Sequence, residues 1–209
     1  MTVWQQRLAM MSMAIATWLA SPLLASPAHA QDKVLKVIPS ADLTQLDPVF
    51  APIVITRIYG LMIYDTLFSW DHSLQPKPQM VDTWTTSPDG LTWSFTLRPG
   101  LKFHDGQAVT TADVIPSLKR WMTRDVVGQK LGSFTTGMDA VDANTFEIKL
   151  NHPYPPMLFS LSSGIGQIPV IMRAKDLEGD PGKPVITAIG SGPFTFDKAA
   201  RISGALSVF

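Results

Sequence analysis

Apolar and polar residues alternate with period two between Leu91 and Arg98. Leu91, Trp93, Phe95 and Leu97 fall on one face, and Thr92, Ser94, Thr96 and Arg98 on the other. That is the pattern of a half-buried antiparallel strand. Pro88-Asp89-Gly90 and Arg98-Pro99-Gly100 supply turns at its ends, and His104-Asp105-Gly106 a third, with glycine free to take positive φ. Asp139 to Thr145 leads into a second alternating strand, Phe146 to Leu150. Three shorter strands are expected: Val34 to Ile38, ended by Pro39; Thr66 to Trp70, ended by Asp71-His72; and Phe194 to Phe196, after a sharp turn at Gly190 to Pro193.

Helical spacing appears between Ile53 and Leu67, where Ile55, Ile58, Tyr59, Met62 and Ile63 fall near one face of a buried helix. Asp47-Pro48 and Ala51-Pro52 mark the preceding stretch, Ser40 to Pro52, as an ordered loop. Thr110 can cap a helix, with Asp113 three residues on completing a capping box and suiting the helix dipole. Pro116 lies inside that helix and predicts a kink or a late start. Pro155 and Pro156 can open a short helix over Met157 to Leu161. Gly164 to Gly182 is rich in glycine and proline and reads as surface loop.

The first thirty residues differ from the rest. Arg7 is their single charge, Leu8 to Ala20 is almost wholly apolar or small, and Ala28-His29-Ala30 follows. These are the parts of a secretory signal peptide over residues 1–30. A membrane anchor fits less well, because the apolar stretch falls short of the ~20 residues a span requires. Export together with the absence of cysteine excludes disulfides, thiolate metal sites and a lipid-modified cysteine. A free periplasmic protein is therefore expected. The 209 residues are 45% hydrophobic and carry 17 basic against 17 acidic residues. With no basic run, nothing marks a nucleic-acid partner.

Candidate chemistry is sparse. Trp84, Trp93, Phe95 and Phe103 could form a carbohydrate platform, but the alternation assigns them to hairpin packing. His104 and Asp105 could form an acid/base pair of an exported hydrolase, yet adjacent residues in a turn point apart, and Asp-Gly is ordinary turn chemistry. The histidines His29, His72, His104 and His152 lack metal-ligand spacing. No nucleophile elbow, Walker sequence or dinucleotide fingerprint is present.

Several short motifs recur in order: Leu46-Asp47-Pro48, Tyr64 to Phe68, Pro76 to Pro78, the block Trp84 to Gly106, Thr110 to Asp113, and Gly190 to Phe194. In this order and spacing the chain resembles the extracytoplasmic solute-binding proteins of ABC importers, family 5, which bind peptides, nickel chelates or opines. The resemblance runs from about Val34 to Phe196. It implies an α/β fold of the periplasmic-binding-protein type II class, with residues 31–209 as the N-terminal lobe. A mixed core sheet would draw on about 31–70 and 185–209, and a hairpin-rich subdomain on about 71–184. Ser207 to Phe209 reads as a strand cut short, and the second lobe would lie beyond it, in a fragment or a truncated reading frame.

By the same resemblance, ligand contacts from this lobe would come from Asp42 and Asp47 in the first loop, from Tyr59, and from Gly190, Ser191 and Gly192. Asp47 can equally be a turn-initiating residue before proline and Tyr59 a core residue. The resemblance implies no catalysis, no cofactor and no metal. It implies hinge closure around a peptide or other small solute, and delivery to a membrane permease with ATPase subunits. A complete member would be a monomer. The rival readings are the hydrolase using His104 and Asp105, and a remnant without a transport role.

Overall fold

The computed structural model describes residues 34–162 and 164–209; the expected signal peptide, residues 1–30, lies outside them. The chain divides into two units, residues 1–38 and 39–209. In the first, Val34 to Ile38 carries no regular structure, and Val34, Leu35, Val37 and Ile38 are exposed. The first strand expected there is corrected: apolar residues give strand propensity, but a strand forms only where a neighbour completes its ladder.

In the second unit, helix α1 spans Val54–Ile63. Its buried stripe is Thr56, Tyr59, Gly60 and Ile63, while Ile58 is exposed. The inward face is thus rotated from the one expected. Gly60 explains the rotation: a Cβ there would lie 2.7 Å from the Pro48 side chain, so only the missing side chain lets the Asp47-Pro48 loop close on this face.

Strand β1, Phe68–Trp70, pairs with β2, Pro76–Pro78. Strands β3 (Val81–Thr86), β4 (Thr92–Leu97), β5 (Thr135–Ala140) and β6 (Thr145–Leu150) form a sheet in the order β3-β4-β6-β5. Phe95 opposes Phe146, and their rings stack at 5.3 Å; Trp93 opposes Ile148. The expected turn glycines Gly90, Gly100 and Gly106 all take positive φ. Trp84, expected in the packing, lies on edge strand β3, whose residues after Val81 are exposed. It is 37% exposed and meets Phe68 edge-on.

Helix α2, Thr111–Arg124, starts at its capping box: the Thr110 amide donates to Asp113 Oδ2 at 3.0 Å. It runs through Pro116 without a late start. Helix α3, Val126–Phe134, follows at once, because the Asp125 carboxylate accepts from the Val127 and Gly128 amides. Helix α4, Met157–Leu161, sits where the proline pair places it. A 3-10 turn covers Ala174–Asp176. Strands β7 (Asp197–Ile202) and β8 (Leu206–Val208) form a hairpin of their own. The strand expected at Phe194 to Phe196 thus starts later, since the Phe194 amide is spent on the Met62 carbonyl.

Gly164 to Gly182 is not all surface. Ile168, Val170, Ile171 and Met172 are buried. Backbone partners outside any ladder make this possible: Ile171 N–H donates to the Asp65 carbonyl at 2.9 Å and Met172 N–H to Ser117 Oγ at 2.9 Å. Helices and sheets together give an α/β architecture; the ladders among the described residues are antiparallel, and the mixed core sheet is not among them. No described helix is long and apolar enough to cross a membrane.

Candidate functional site

Helix α1 organises most of the expected contact residues. On one flank, the loop Gln45–Phe50 is anchored by Thr56 Oγ1 donating to the Gln45 carbonyl at 2.8 Å. Asp47 shapes this loop as an Asx turn, its Oδ1 accepting from the Val49 and Phe50 amides at 3.0 Å each. The same carboxylate receives both terminal nitrogens of Arg120 from α2, at 3.1 and 2.5 Å, and the Val185 amide at 2.8 Å. It has no solvent exposure. Every acceptor direction of Asp47 is therefore taken by the protein, and the residue ties three segments together rather than facing a cleft.

At the far end of α1, the Gly190–Gly192 turn sits on the last helical carbonyls. Gly192 N–H donates to the Ile63 carbonyl at 2.8 Å and Phe194 N–H to Met62 at 3.0 Å. A Cβ on Gly190 would lie 1.9 Å from Ile63 O, and one on Gly192 2.7 Å from Met62 O. Both glycines are thus required by close backbone approach. Tyr59 lies one turn earlier on α1, its ring edge-on to Phe196 at 5.5 Å and tilted against Phe209 at 5.4 Å. Its hydroxyl is buried and meets no hydrogen-bond partner among the described residues. Burial pushes this phenol up, with Arg201 opposing. Asp42 stands apart, exposed in the loop.

His104 and Asp105 diverge. The His104 backbone N–H donates to the Gly190 carbonyl at 2.8 Å, and its ring reaches Gly192 O through Nε2 at 2.9 Å. Asp105 turns the other way, accepting from Arg173 Nη1 at 2.7 Å and Lys175 Nζ at 3.3 Å. The Arg173 hydrogen bond holds the Asp105 carboxyl down at about 2. The two side chains share no proton, so the acid/base pair does not assemble. Asp65, just past α1, accepts from Gln79 Nε2 at 2.7 Å; burial raises its carboxyl, while Ser191 and His104 lower it.

Arg120 and Asp65 were missed by sequence reasoning. Arg120 had a signal: it stands between Ser117 and Trp121, on or beside the buried stripe of α2, where a cation requires a buried counter-charge. Asp65 had only its place in the Tyr64 to Phe68 motif, which assigns it no role. A cleft of about 510 Å³ opens between α2 and residues 176–187, walled by Lys119, Thr123, Leu177 and Ile186. None of Asp42, Asp47, Tyr59, Gly190, Ser191 or Gly192 lines it. No cluster of His, Asp or Glu among the described residues could hold a metal ion.

The model of bacterial extracellular solute-binding proteins, family 5 (middle), matches residues 75–203. A probable peptide ABC transporter periplasmic-binding protein, y4tO, from Sinorhizobium fredii is 40% identical over 185 residues, covering 88% of this chain and 34% of that protein. The periplasmic binding protein AgaA with agropinic acid, from A. tumefaciens R10, superposes with a TM-score of 0.63 at 29% identity, over 74% of this chain and 31% of that one. DppA from Helicobacter pylori in complex with the peptide STSA gives 0.62 at 26% identity, over 75% and 35%. The chain spans about a third of the length of these relatives. The type II periplasmic-binding-protein fold shared with these structures, together with the match over residues 75–203, makes the chain a member of family 5 of the bacterial extracellular solute-binding proteins.

Proposed function

We propose that this chain belongs to the solute-capturing component of an ABC importer acting in the periplasm, with peptides as the solute class. The observation that carries the reading is the 40% identity over 185 residues to a probable peptide ABC transporter periplasmic-binding protein; DppA, in complex with a peptide, supports it at the level of fold and sequence. Residues 1–30 act as the export signal, and residues 31–209 supply the N-terminal lobe, with a subdomain over about 71–184. The lobe binds without doing chemistry: His104 and Asp105 are each engaged by separate partners. A permease and its ATPase subunits receive the solute.

Within this reading the solute-facing surface of the lobe lies near Asp42 and the Ser191 turn, while Asp47 and the buried Tyr59 ring hold that surface in shape. Isothermal titration with a panel of di- to tetrapeptides, with agropinic acid and glutathione as comparators, tests the solute class. Saturable heat from a peptide alone supports it. Heat from an opine with none from any peptide overturns it.

A further inference from the structure

His104 touches the Gly190–Gly192 turn at three points. Its backbone N–H donates to Gly190 O at 2.8 Å, its ring Nε2 lies 2.9 Å from Gly192 O, and its ring Nδ1 lies 3.4 Å from the Gly190 N–H. The partners fix the ring chemistry. Gly192 O accepts, so Nε2 must carry a proton; Gly190 N–H donates, so Nδ1 must carry a lone pair. Only the neutral Nε2–H tautomer meets both conditions. We infer that His104 positions the Gly190–Gly192 turn through its neutral imidazole, and that protonation of the ring loosens the turn.

The turn has little room to absorb the change. Protonated Nδ1 becomes a donor facing a donor, and the Gly190 N–H loses its acceptor. Movement toward α1 is blocked, since Gly190 already lies against Ile63 O and the Tyr64 ring. The turn must move away from the helix end, which breaks the Gly192 to Ile63 hydrogen bond. The charged groups around the ring are few. Asp65, in the segment after α1, lies within electrostatic reach of the ring, with its Oδ1 held by Gln79 Nε2 at 2.7 Å. Tyr64 packs on Gly190 with its hydroxyl committed to Thr187 O at 2.9 Å. On the turn carrying His104, Asp105 is neutralised by Arg173 and Lys175. The inference deepens the solute-capture reading, because it would tie the state of a solute-facing turn to external pH; the geometry stands without solute.

The test uses the full chain without solute, so its failure is separate from a failure to bind peptide. Nitrogen NMR of the imidazole should show the Nε2–H tautomer at about pH 7.5. Amide exchange at Gly190 and Gly192, corrected for intrinsic rates, should lose protection by about tenfold as the same spectra show the ring taking up its second proton. His104→Gln, which cannot titrate, should show no such loss, and Asp65→Asn should retain it. The Nδ1–H tautomer, a ring that titrates with unchanged protection, or a pH dependence that survives in His104→Gln or vanishes in Asp65→Asn overturns the inference. If His104→Gln fails to fold, the ring and amide titrations of the unaltered chain decide alone.

Discussion

Asp47 and Arg120, 73 positions apart in the chain, meet as a bidentate ion pair at 3.1 and 2.5 Å, with the carboxylate wholly buried and the guanidinium side chain 9% exposed. The pair joins the loop before α1 to helix α2, and the Val185 amide adds a third segment. Removing one partner leaves a buried charge uncompensated, which costs about 3–5 kcal/mol. Asp47→Ala is therefore expected to lower unfolding stability by that amount in urea titration. A joint replacement, Asp47→Ala with Arg120→Met, should recover part of the loss. Equal loss in the single and joint variants would show that the turn hydrogen bonds of Asp47, not the ion pair, carry its contribution.

The glycines of the α1-terminal turn should rank by what surrounds them. A Cβ at Gly190 would overlap Ile63 O at 1.9 Å, backbone against backbone, so Gly190→Ala requires a main-chain shift. A cost of about 3 kcal/mol is expected, at the upper end for overpacking. Gly106 has open space around it but a φ of +83°, so Gly106→Ala should cost only about 1–2 kcal/mol of left-handed strain. Urea midpoints of the two variants check the order, and the reverse order would contradict the close approach of Gly190 to α1.

The acid limb of stability should carry the signature of Asp105. Its carboxyl is held at about 2, below the ordinary 3.8, chiefly by the Arg173 hydrogen bond. A depressed folded pKa contributes stability that is present above about 3.8 and lost as pH falls through about 2. Asp105→Asn should thus lower the melting temperature at neutral pH, and the gap to the unaltered chain should close toward pH 2. Asp65 carries the opposite sign, since burial raises it: its contribution is present below its ordinary value and lost as pH rises through the raised one. Asp65→Asn should therefore flatten the decline that begins as pH rises above the ordinary 3.8. Melting curves from pH 2 to 7 separate the two.

What could be read from the residues alone was what local chemistry determines. The Thr110 and Asp113 capping box, the positive-φ glycines at 90, 100 and 106, and the proline-opened helix at Met157 need only neighbours in sequence. What escaped depends on partners far along the chain. Thr135–Ala140 shows weak alternation, yet it is a strand because Ile148 and its neighbours on β6 offer a ladder. Val34 to Ile38 looks like a strand and is not one. The site followed the same division: the motif at Asp47 marked a turn, but its commitment to Arg120 and Val185 is tertiary, which is why a ligand contact and a turn residue were indistinguishable there.

Two tyrosines on neighbouring turns offer a direct comparison of satisfied and unsatisfied hydroxyls. Tyr64 donates to the Thr187 carbonyl at 2.9 Å, whereas the buried Tyr59 hydroxyl meets no hydrogen-bond partner among the described residues. An unsatisfied buried polar group costs about 1–3 kcal/mol, and a typical made bond contributes about 1 kcal/mol. Tyr59→Phe is expected to raise stability by about 1 kcal/mol, because the ring contacts with Phe196 and Phe209 survive while the stranded hydroxyl is removed. Tyr64→Phe is expected to lower it by about the same amount, leaving the Thr187 carbonyl without its donor. Urea unfolding of both variants gives the two signs. A loss in Tyr59→Phe would mean that an ordered water or a bound group already occupies the position in front of that hydroxyl, and peptide titration of the same variant would then tell the two apart: unchanged affinity points to water, weakened affinity to the solute.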